Sequence, residues 1–177
     1  MSKIVDAIIR AAGGTPSVDD TQRTLTDGSP VTDDHRELLP DGMQKAYVVL
    51  SAEERARGFV RPVRRSYKHV GRGGPKYPLR DLTPDEHARY DQYGYLKYEE
   101  YPPEKSPICG RFWTQAMLDA VENGCGVVTT MGLALAETYA RKPDFYGATF
   151  CCGCGKHLPV GADGEFVWLD DGSKVGI

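Results

Sequence analysis

The sequence predicts an α+β fold made of short helices, small antiparallel strands and a compact cysteine-rich hairpin module at the C-terminus. Short stretches of helical and of alternating periodicity follow one another without an internal repeat. Capping residues, prolines and glycines separate these stretches at short intervals. We therefore expect an N-terminal helix and an acidic flexible linker over residues 1–43, a single domain over residues 44–177, and a distinct module over about residues 125–177 within that domain.

Helical segments are predicted where start and stop signals bracket a helical period. They cover residues 3–12, a turn after Ser51, the stretch from Thr83 to Gln92, residues 115–123 and residues 131–141. Thr83 gives the strongest start signal, because Pro84 suits the first helical position and Glu86 can complete a capping box. Gly94 and Gly124 supply the stop signals.

Extended segments are predicted from alternating or β-branched runs between these helices. They are residues 45–50, 59–63, 66–70, 95–99 and 145–150, followed by a terminal hairpin of residues 165–169 and 173–176. Asp170, Asp171 and Gly172 supply the hairpin turn. Residues 15–42 are rich in Asp, Thr, Ser, Pro and Gly without a clear period, which is typical of a loop or a linker.

Size and composition restrict the class of protein. With 177 residues, 40% of them hydrophobic and 27% charged, the chain suits one ordinary globular domain. No stretch approaches the roughly 18 apolar residues of a membrane span, and residues 1–12 lack the features of a signal peptide. Five cysteines, with three of them in four consecutive positions, do not suit a disulfide framework. We expect a cytoplasmic protein with no membrane partner.

A cysteine cluster carries the clearest chemical signal. Cys151 and Cys154 are separated by two residues, and Gly153 and Gly155 permit the tight turn that lets both thiolates bind one ion. His157, three positions beyond Cys154, can supply a nitrogen ligand. The spacing predicts a zinc knuckle followed by a hairpin, so we expect a bound Zn²⁺ with a structural role.

A closed structural zinc site has four ligands, so one ligand must come from elsewhere in the chain. Cys125 is the first candidate because it lies with Gly126 at a turn after a predicted helix; Cys109 is the second and His69 the third. Other interpretations stay open, namely packed thiols, a redox Cys-x-x-Cys, or a nucleophilic Cys152 assisted by His157. Four protein ligands leave no position for a reacting water, so we predict no catalytic residue.

A run of positive charge is the second informative feature. Between residues 55 and 80 there are nine basic residues and no acidic ones, whereas residues 15–42 and residues 81–104 carry seven acids each. Cationic groups bind phosphates, and interleaved aromatic rings stack on bases. The run predicts contact with nucleic acid or with a host nucleoprotein complex through Arg61, Arg64, Arg65, Lys68, Arg72 and the aromatic Tyr67. A solvated surface, a strip neutralised by the acidic flanks and contact with an acidic protein face are the alternatives.

Residues 45–177 resemble small uncharacterised proteins of bacteriophages and prophages. The resemblance lies in GFVRPVRRSYKHVG (Gly58 to Gly71), in YPLRDLTPDEHARYDQYGYLKYEEYP (Tyr77 to Pro102), and in a C-terminal pattern of FY, TFC-x-x-C-x-x-H and EF-x-W. This pattern falls on Phe145, Tyr146, Thr149, Phe150, Cys151, Cys154, His157, Glu165, Phe166 and Trp168, with Cys125 and Gly126 as an earlier Cys-Gly pair. The resemblance implies a phage-derived context in a bacterial host cell, and it implies no activity.

Together these observations predict a non-enzymatic zinc-containing binding protein that contacts nucleic acid or a nucleic-acid-handling complex. A rival hypothesis is a protein-directed inhibitor of a host defence system, of the anti-CRISPR kind, whose acidic segments mimic nucleic acid. A third hypothesis is a metal-dependent nuclease, which needs an open coordination position or a second metal site. The sequence leaves the oligomeric state open.

Overall fold

The computed structural model describes residues 17–105 and 110–177. The helix predicted over residues 3–12 and the candidate ligand Cys109 lie outside the described residues. The chain divides into two compact units, of which the larger comprises the residues up to His69 together with Val127–Ile177, and the smaller comprises Val70–Gly126. The domain boundary predicted near residue 44 stays a prediction.

Short strands and short helices alternate along the described residues. The strands are β1 (Arg23–Leu25), β2 (Val48–Leu50), β3 (Ser66–His69), β4 (Leu79–Asp81), β5 (Lys97–Glu99), β6 (Arg111–Trp113), β7 (Val128–Thr130), β8 (Ala148–Cys151), β9 (Lys156–Pro159) and β10 (Phe166–Trp168). The helices are α1 (Ala52–Arg55), α2 (Pro84–Tyr90), α3 (Gln115–Asn123) and α4 (Leu133–Arg141). Every pair of these strands is antiparallel, which confirms the predicted α+β class.

The helix start signals read from the sequence are confirmed. Thr83 forms a complete capping box with Glu86, because its side chain accepts from the Glu86 amide while the Glu86 carboxylate accepts from the Thr83 amide. The Thr114 side chain accepts from the Met117 amide and caps α3. Gly94, with a φ of 67°, ends the 3₁₀ turn that continues from α2, as its position predicts.

Residues 17–43 contain more regular structure than the sequence predicts. β1 lies in this segment and pairs with β2, with Arg23 opposite Leu50. Gly42 packs so closely on a later turn that a Cβ atom there would lie 1.9 Å from the Gly155 carbonyl oxygen. A strand of three residues is too short for its alternation to be visible, and its partner follows only after a long loop.

The larger unit has one main hydrophobic core. β3 lies between β10 and β7 in a three-stranded sheet, and α4 packs against this region with Ala136 and Tyr139 buried. Tyr67 of β3 meets Phe166 and Trp168 of β10 edge to face, at ring-centroid distances of 5.4 and 6.3 Å. The core comprises Tyr67, Met131, Ala136, Tyr139, Cys151, Phe166, Trp168 and Val175. These aromatic contacts fix β3 and β10 relative to each other.

The smaller unit is built on the sheet β4–β5–β6. Its buried centre is Trp113 of β6, whose indole nitrogen donates to the carboxylate of Glu99 over 3.0 Å. The second Glu99 oxygen accepts from the Tyr77 amide over 2.8 Å, so both oxygens of this buried carboxylate are satisfied. None of the helices in the described ranges is long and apolar enough to cross a bilayer.

A buried ion pair ties the N-terminal part of the described chain to α4. The side chains of Arg141 and Glu54 are both 0% exposed, and Arg141 Nη2 and Nε lie 2.6 and 3.0 Å from Glu54 Oε1. Arg141 also donates to the carbonyl oxygens of Gly58 and Ser17, and the Asp19 amide donates to Glu54. Glu54 Oε2 also lies 2.8 Å from Nη1 of the partly exposed Arg57. Loss of Arg141 would therefore leave the buried carboxylate with one cationic partner instead of two.

Replacing Arg141 with alanine should therefore lower the free energy of unfolding by about 3 kcal/mol, at the lower end for a broken buried pair, because Glu54 keeps its burial and loses its buried partner while Arg57 remains. Urea unfolding followed by tryptophan fluorescence measures this change. The matched control is Lys142→Ala, which removes the neighbouring, partly exposed ion pair with Asp20. Similar losses for the two variants would contradict the structural role of the buried pair.

Candidate metal centre

Four side chains from separate parts of the sequence converge on one point. They are His69, Cys125, Cys151 and Cys154, and one ligand atom from each lies within 4.8 Å of the others. His69 Nδ1 lies 3.7 Å from Cys151 Sγ and 3.4 Å from Cys154 Sγ. His69 and Cys151 are buried, Cys154 is half-buried and Cys125 is exposed. The four groups are close enough to hold one metal ion.

Strand ends and glycine turns place these ligand groups. His69 is the last residue of β3, and Cys151 is the last residue of β8. Cys154 lies in the turn between β8 and β9, where Gly155 adopts a φ of 61° and its amide donates to the Cys151 carbonyl over 2.9 Å. That left-handed conformation suits glycine, so the turn can bring the two sulfurs together at low conformational cost.

Cys125 reaches the group from the end of a helix. α3 ends at Asn123, and Gly124 follows with a φ of 62°. Gly126 also has a positive φ, of 70°, so left-handed glycines flank Cys125 on both sides. The chain can therefore turn sharply at this residue, and the sequence signal that favoured Cys125 corresponds to its position in the structure.

The orientation of His69 is set by a carboxylate on its far side. His69 Nε2 lies 2.9 Å from Glu165 Oε2, and both side chains are almost fully buried. An ionised carboxylate only accepts hydrogen bonds, so Nε2 carries the ring hydrogen and Nδ1 presents its lone pair to the sulfurs. Glu165 immediately precedes Phe166, which lies opposite His69 in the sheet. A carboxylate that holds a histidine in this way is the usual outer partner of a metal ligand.

The sequence predicts His157 as the nitrogen ligand, but the structure places His157 outside the group of four side chains. His157 lies opposite Phe150 in the β8–β9 hairpin, whereas Cys151 lies opposite Lys156. Directly paired residues share a face of a sheet and consecutive residues alternate, so His157 and Cys151 point to opposite faces. His157 Nε2 instead lies 3.0 Å from the Tyr47 hydroxyl.

His69 takes the place of His157 in the group of four. It is the one member of the group that spacing in the sequence disfavours, because 82 positions separate it from Cys151. A local signal for it exists in the alternation of Ser66 to His69, which puts Tyr67 and His69 on the buried face of β3. A second signal is Glu165, which precedes the core residue Phe166 and is buried. A buried carboxylate needs a polar partner, and His69 is that partner.

Within the basic run, the predicted cationic contacts differ in exposure, and Arg65 Nε also donates to the Met131 carbonyl over 3.1 Å. Arg61, Arg65, Lys68 and Arg72 are exposed. Arg64 is half-buried, with Nε 2.9 Å from Asp170 Oδ2 and with a second salt bridge to Asp171. The terminal hairpin turn therefore neutralises one of the predicted nucleic-acid contacts.

Tyr67, predicted as an aromatic contact to nucleic acid, lies in the core and not on the surface. Its side chain is only 2% exposed, and its hydroxyl donates to the Phe150 carbonyl oxygen over 2.6 Å. Burial raises the pKa of Tyr67 to about 12, as expected for a phenol removed from water. The alternation that places Tyr67 beside core residues also prevents its ring from stacking on a base.

No protein-family model matches the chain, and neither the curated proteins nor the solved structures include a significant match to it. Any function must therefore be argued from the residues and their geometry.

Replacing His69 with alanine should abolish metal binding, whereas His157→Ala should leave the metal content unchanged. The reason is that, of these two histidines, His69 faces the sulfurs. Elemental analysis of both variants, purified in parallel without added metal, measures the difference. A metal-free His157→Ala protein beside a fully loaded His69→Ala protein would contradict the assignment.

Because His69→Ala also opens a cavity in the core, Glu165→Gln serves as a second variant of nearly unchanged shape. It should weaken metal affinity about 10- to 100-fold through the lost support of His69. Competition with a chromophoric chelator measures this affinity, and an unchanged value would contradict the orienting role of Glu165.

Proposed function

We propose that the protein is a non-enzymatic binding protein that is stabilised by one structural Zn²⁺ ion. The observation that carries this proposal is the convergence of three sulfurs and one carboxylate-supported imidazole nitrogen. Thiolates favour zinc, copper(I) and iron–sulfur clusters over magnesium or calcium, and three thiolates with one imidazole are a common structural zinc set.

The distances also support zinc. With Zn–S near 2.3 Å and Zn–N near 2.0–2.1 Å, two ligands of a tetrahedral ion lie about 3.6 Å apart. The His69 Nδ1 distances to the two sulfurs, 3.4 and 3.7 Å, are close to that separation. Four protein ligands fill a tetrahedral shell, which supports a structural ion and weighs against the nuclease hypothesis.

A polyanion is the partner that the exposed cations best support. Lys68 lies in the middle strand of the β10–β3–β7 sheet, between Val167 and Val128, on the face opposite the core. Ser66 and Thr130 lie on the same face and hydrogen-bond to each other over 3.1 Å. No acid occurs among these five residues, so Lys68 contributes uncompensated positive charge. With Arg61 and Arg65, two exposed arginines of the same unit, it supplies the positive charge that, in this proposal, contacts nucleic acid.

The phage or prophage origin rests on the sequence resemblance alone and remains a hypothesis. It is consistent with a small accessory protein that contacts nucleic acid or a complex that handles it. The rival hypothesis, an inhibitor of a host defence protein, predicts binding that survives removal of nucleic acid.

Removal of zinc should destabilise the protein strongly, because metal binding is coupled to folding. A net loss of about 5 kcal/mol lowers the Tm by about 10–20 °C in a chain of this size. Calorimetry with and without a strong chelator measures the shift, and native mass spectrometry of the untreated protein should show one zinc per chain.

Cys154→Ser and Cys152→Ser form a matched pair for this test. Cys152 is exposed, lies outside the group of four and hydrogen-bonds with Thr129, so its serine variant should keep the zinc and the Tm. Cys154→Ser should lose the zinc and should have a lower Tm. Equal behaviour of the two variants, or a Tm that ignores the chelator, would contradict a structural zinc ion.

The protein should bind single- or double-stranded nucleic acid, and the logarithm of the binding constant should fall linearly with the logarithm of the salt concentration, because phosphate contacts release counterions. Lys68→Glu should reduce affinity by about tenfold and lower the salt slope by about one. The matched control is Arg89→Glu, an exposed residue of α2 with the same change of charge. Absence of binding, or equal losses for both variants, would contradict the nucleic-acid contact while leaving the zinc proposal untouched.

A further inference from the structure

A pocket of about 570 Å³ opens on the larger unit, away from the converging thiolates. Its walls include Arg23 of β1, His35 and Arg36 of the 3₁₀ turn Asp33–Arg36, Tyr47, Phe145, and His157 of β9. The volume falls in the range of about 300–1,000 Å³ that is typical of small-molecule sites. His157, which the zinc site leaves aside, is one of its walls.

The charge of the pocket is one-sided. Two guanidinium groups and two imidazole rings line it, and none of the described lining residues is Asp or Glu. Arg23 does have an acidic neighbour, because its Nη2 lies 3.7 Å from Asp20 Oδ2, at an exposed position. Arg36 is exposed. A concave surface lined by cations without carboxylates attracts anions, and guanidinium groups suit phosphate oxygens.

The remaining walls are aromatic and polar. The Arg23 guanidinium lies over the Phe145 ring, 5.2 Å from its centroid, so a flat cation and a ring already stack at this wall. The centroids of the Tyr47 and His157 rings lie 5.7 Å apart, and the Tyr47 hydroxyl lies 3.0 Å from His157 Nε2. Burial lowers the pKa of His157, which favours its neutral form and allows it to donate or accept. Such walls suit a planar ring with polar edges.

The geometry points to a site for a small planar molecule that carries a phosphate, of the nucleoside monophosphate class. Arg23 and Arg36 hold the phosphate, and the rings of Tyr47, His157 and Phe145 hold the planar part. This site is independent of the zinc ion's structural role and of the Lys68 surface.

Isothermal titration of the zinc-loaded full chain with AMP tests the site, with adenosine and inorganic phosphate as the two half-ligands. AMP should bind, and each half-ligand should bind at least about tenfold more weakly, because each loses one set of contacts. Absence of AMP binding, or phosphate binding as tight as AMP binding, would overturn the inference.

Arg36→Ala should weaken AMP binding about tenfold through loss of a charge-assisted contact. Arg89→Ala, which removes an exposed cation of α2 outside the pocket, should leave it unchanged. An equal loss of AMP affinity in the two variants would show general charge attraction and would overturn the site.

The imidazole proton resonances give a second readout that does not depend on a variant. On addition of AMP, the signals of His35 and His157 should shift, whereas that of His87 in α2, outside the pocket, should stay in place. Shifts confined to His87, or none in His35 and His157, would also overturn the site.

Discussion

The bond between His69 and Glu165 is the constraint on which the candidate metal centre depends. It fixes the hydrogen on Nε2, and so it directs the Nδ1 lone pair at Cys151 and Cys154. Without this carboxylate the imidazole could present either nitrogen, and the sulfurs would have no defined partner. The bond also joins the end of β3 to the residue before β10, so the orientation of a ligand and the pairing of two strands are fixed together.

The small size of the elements explains why such a centre would matter. Strands of three or four residues cannot stabilise themselves, and the helix α1 is a single turn. The core aromatic residues lie directly beside the ligands: Phe166 is opposite His69, and the two rings are 5.1 Å apart. Metal ligation and aromatic packing therefore stabilise the same segment, while the Glu54–Arg141 pair holds the C-terminal end of α4.

Local signals in the sequence predicted local structure well. Thr83, Thr114 and Gly94 fixed helix ends because capping depends on residues three or four positions apart. The Cys-x-x-Cys turn was visible for the same reason. Spacing alone favours His157, because it does not reveal which face of a hairpin a residue occupies. The pairing of Cys151 with Lys156 decides that face. The role of His69, the Arg64 salt bridges and β1 depend on contacts between distant segments. The alternation of Ser66 to His69 shows that His69 is on a buried face, but it does not show which residues that face meets.

X-ray absorption spectroscopy at the zinc edge of the purified protein tests the central claim most directly, because it reports the ligand atoms themselves. A first shell of three sulfurs at about 2.3 Å and one nitrogen at about 2.0–2.1 Å is the predicted result. A shell dominated by oxygen, or one with only two sulfurs, would contradict the convergence of Cys125, Cys151, Cys154 and His69 on a single ion.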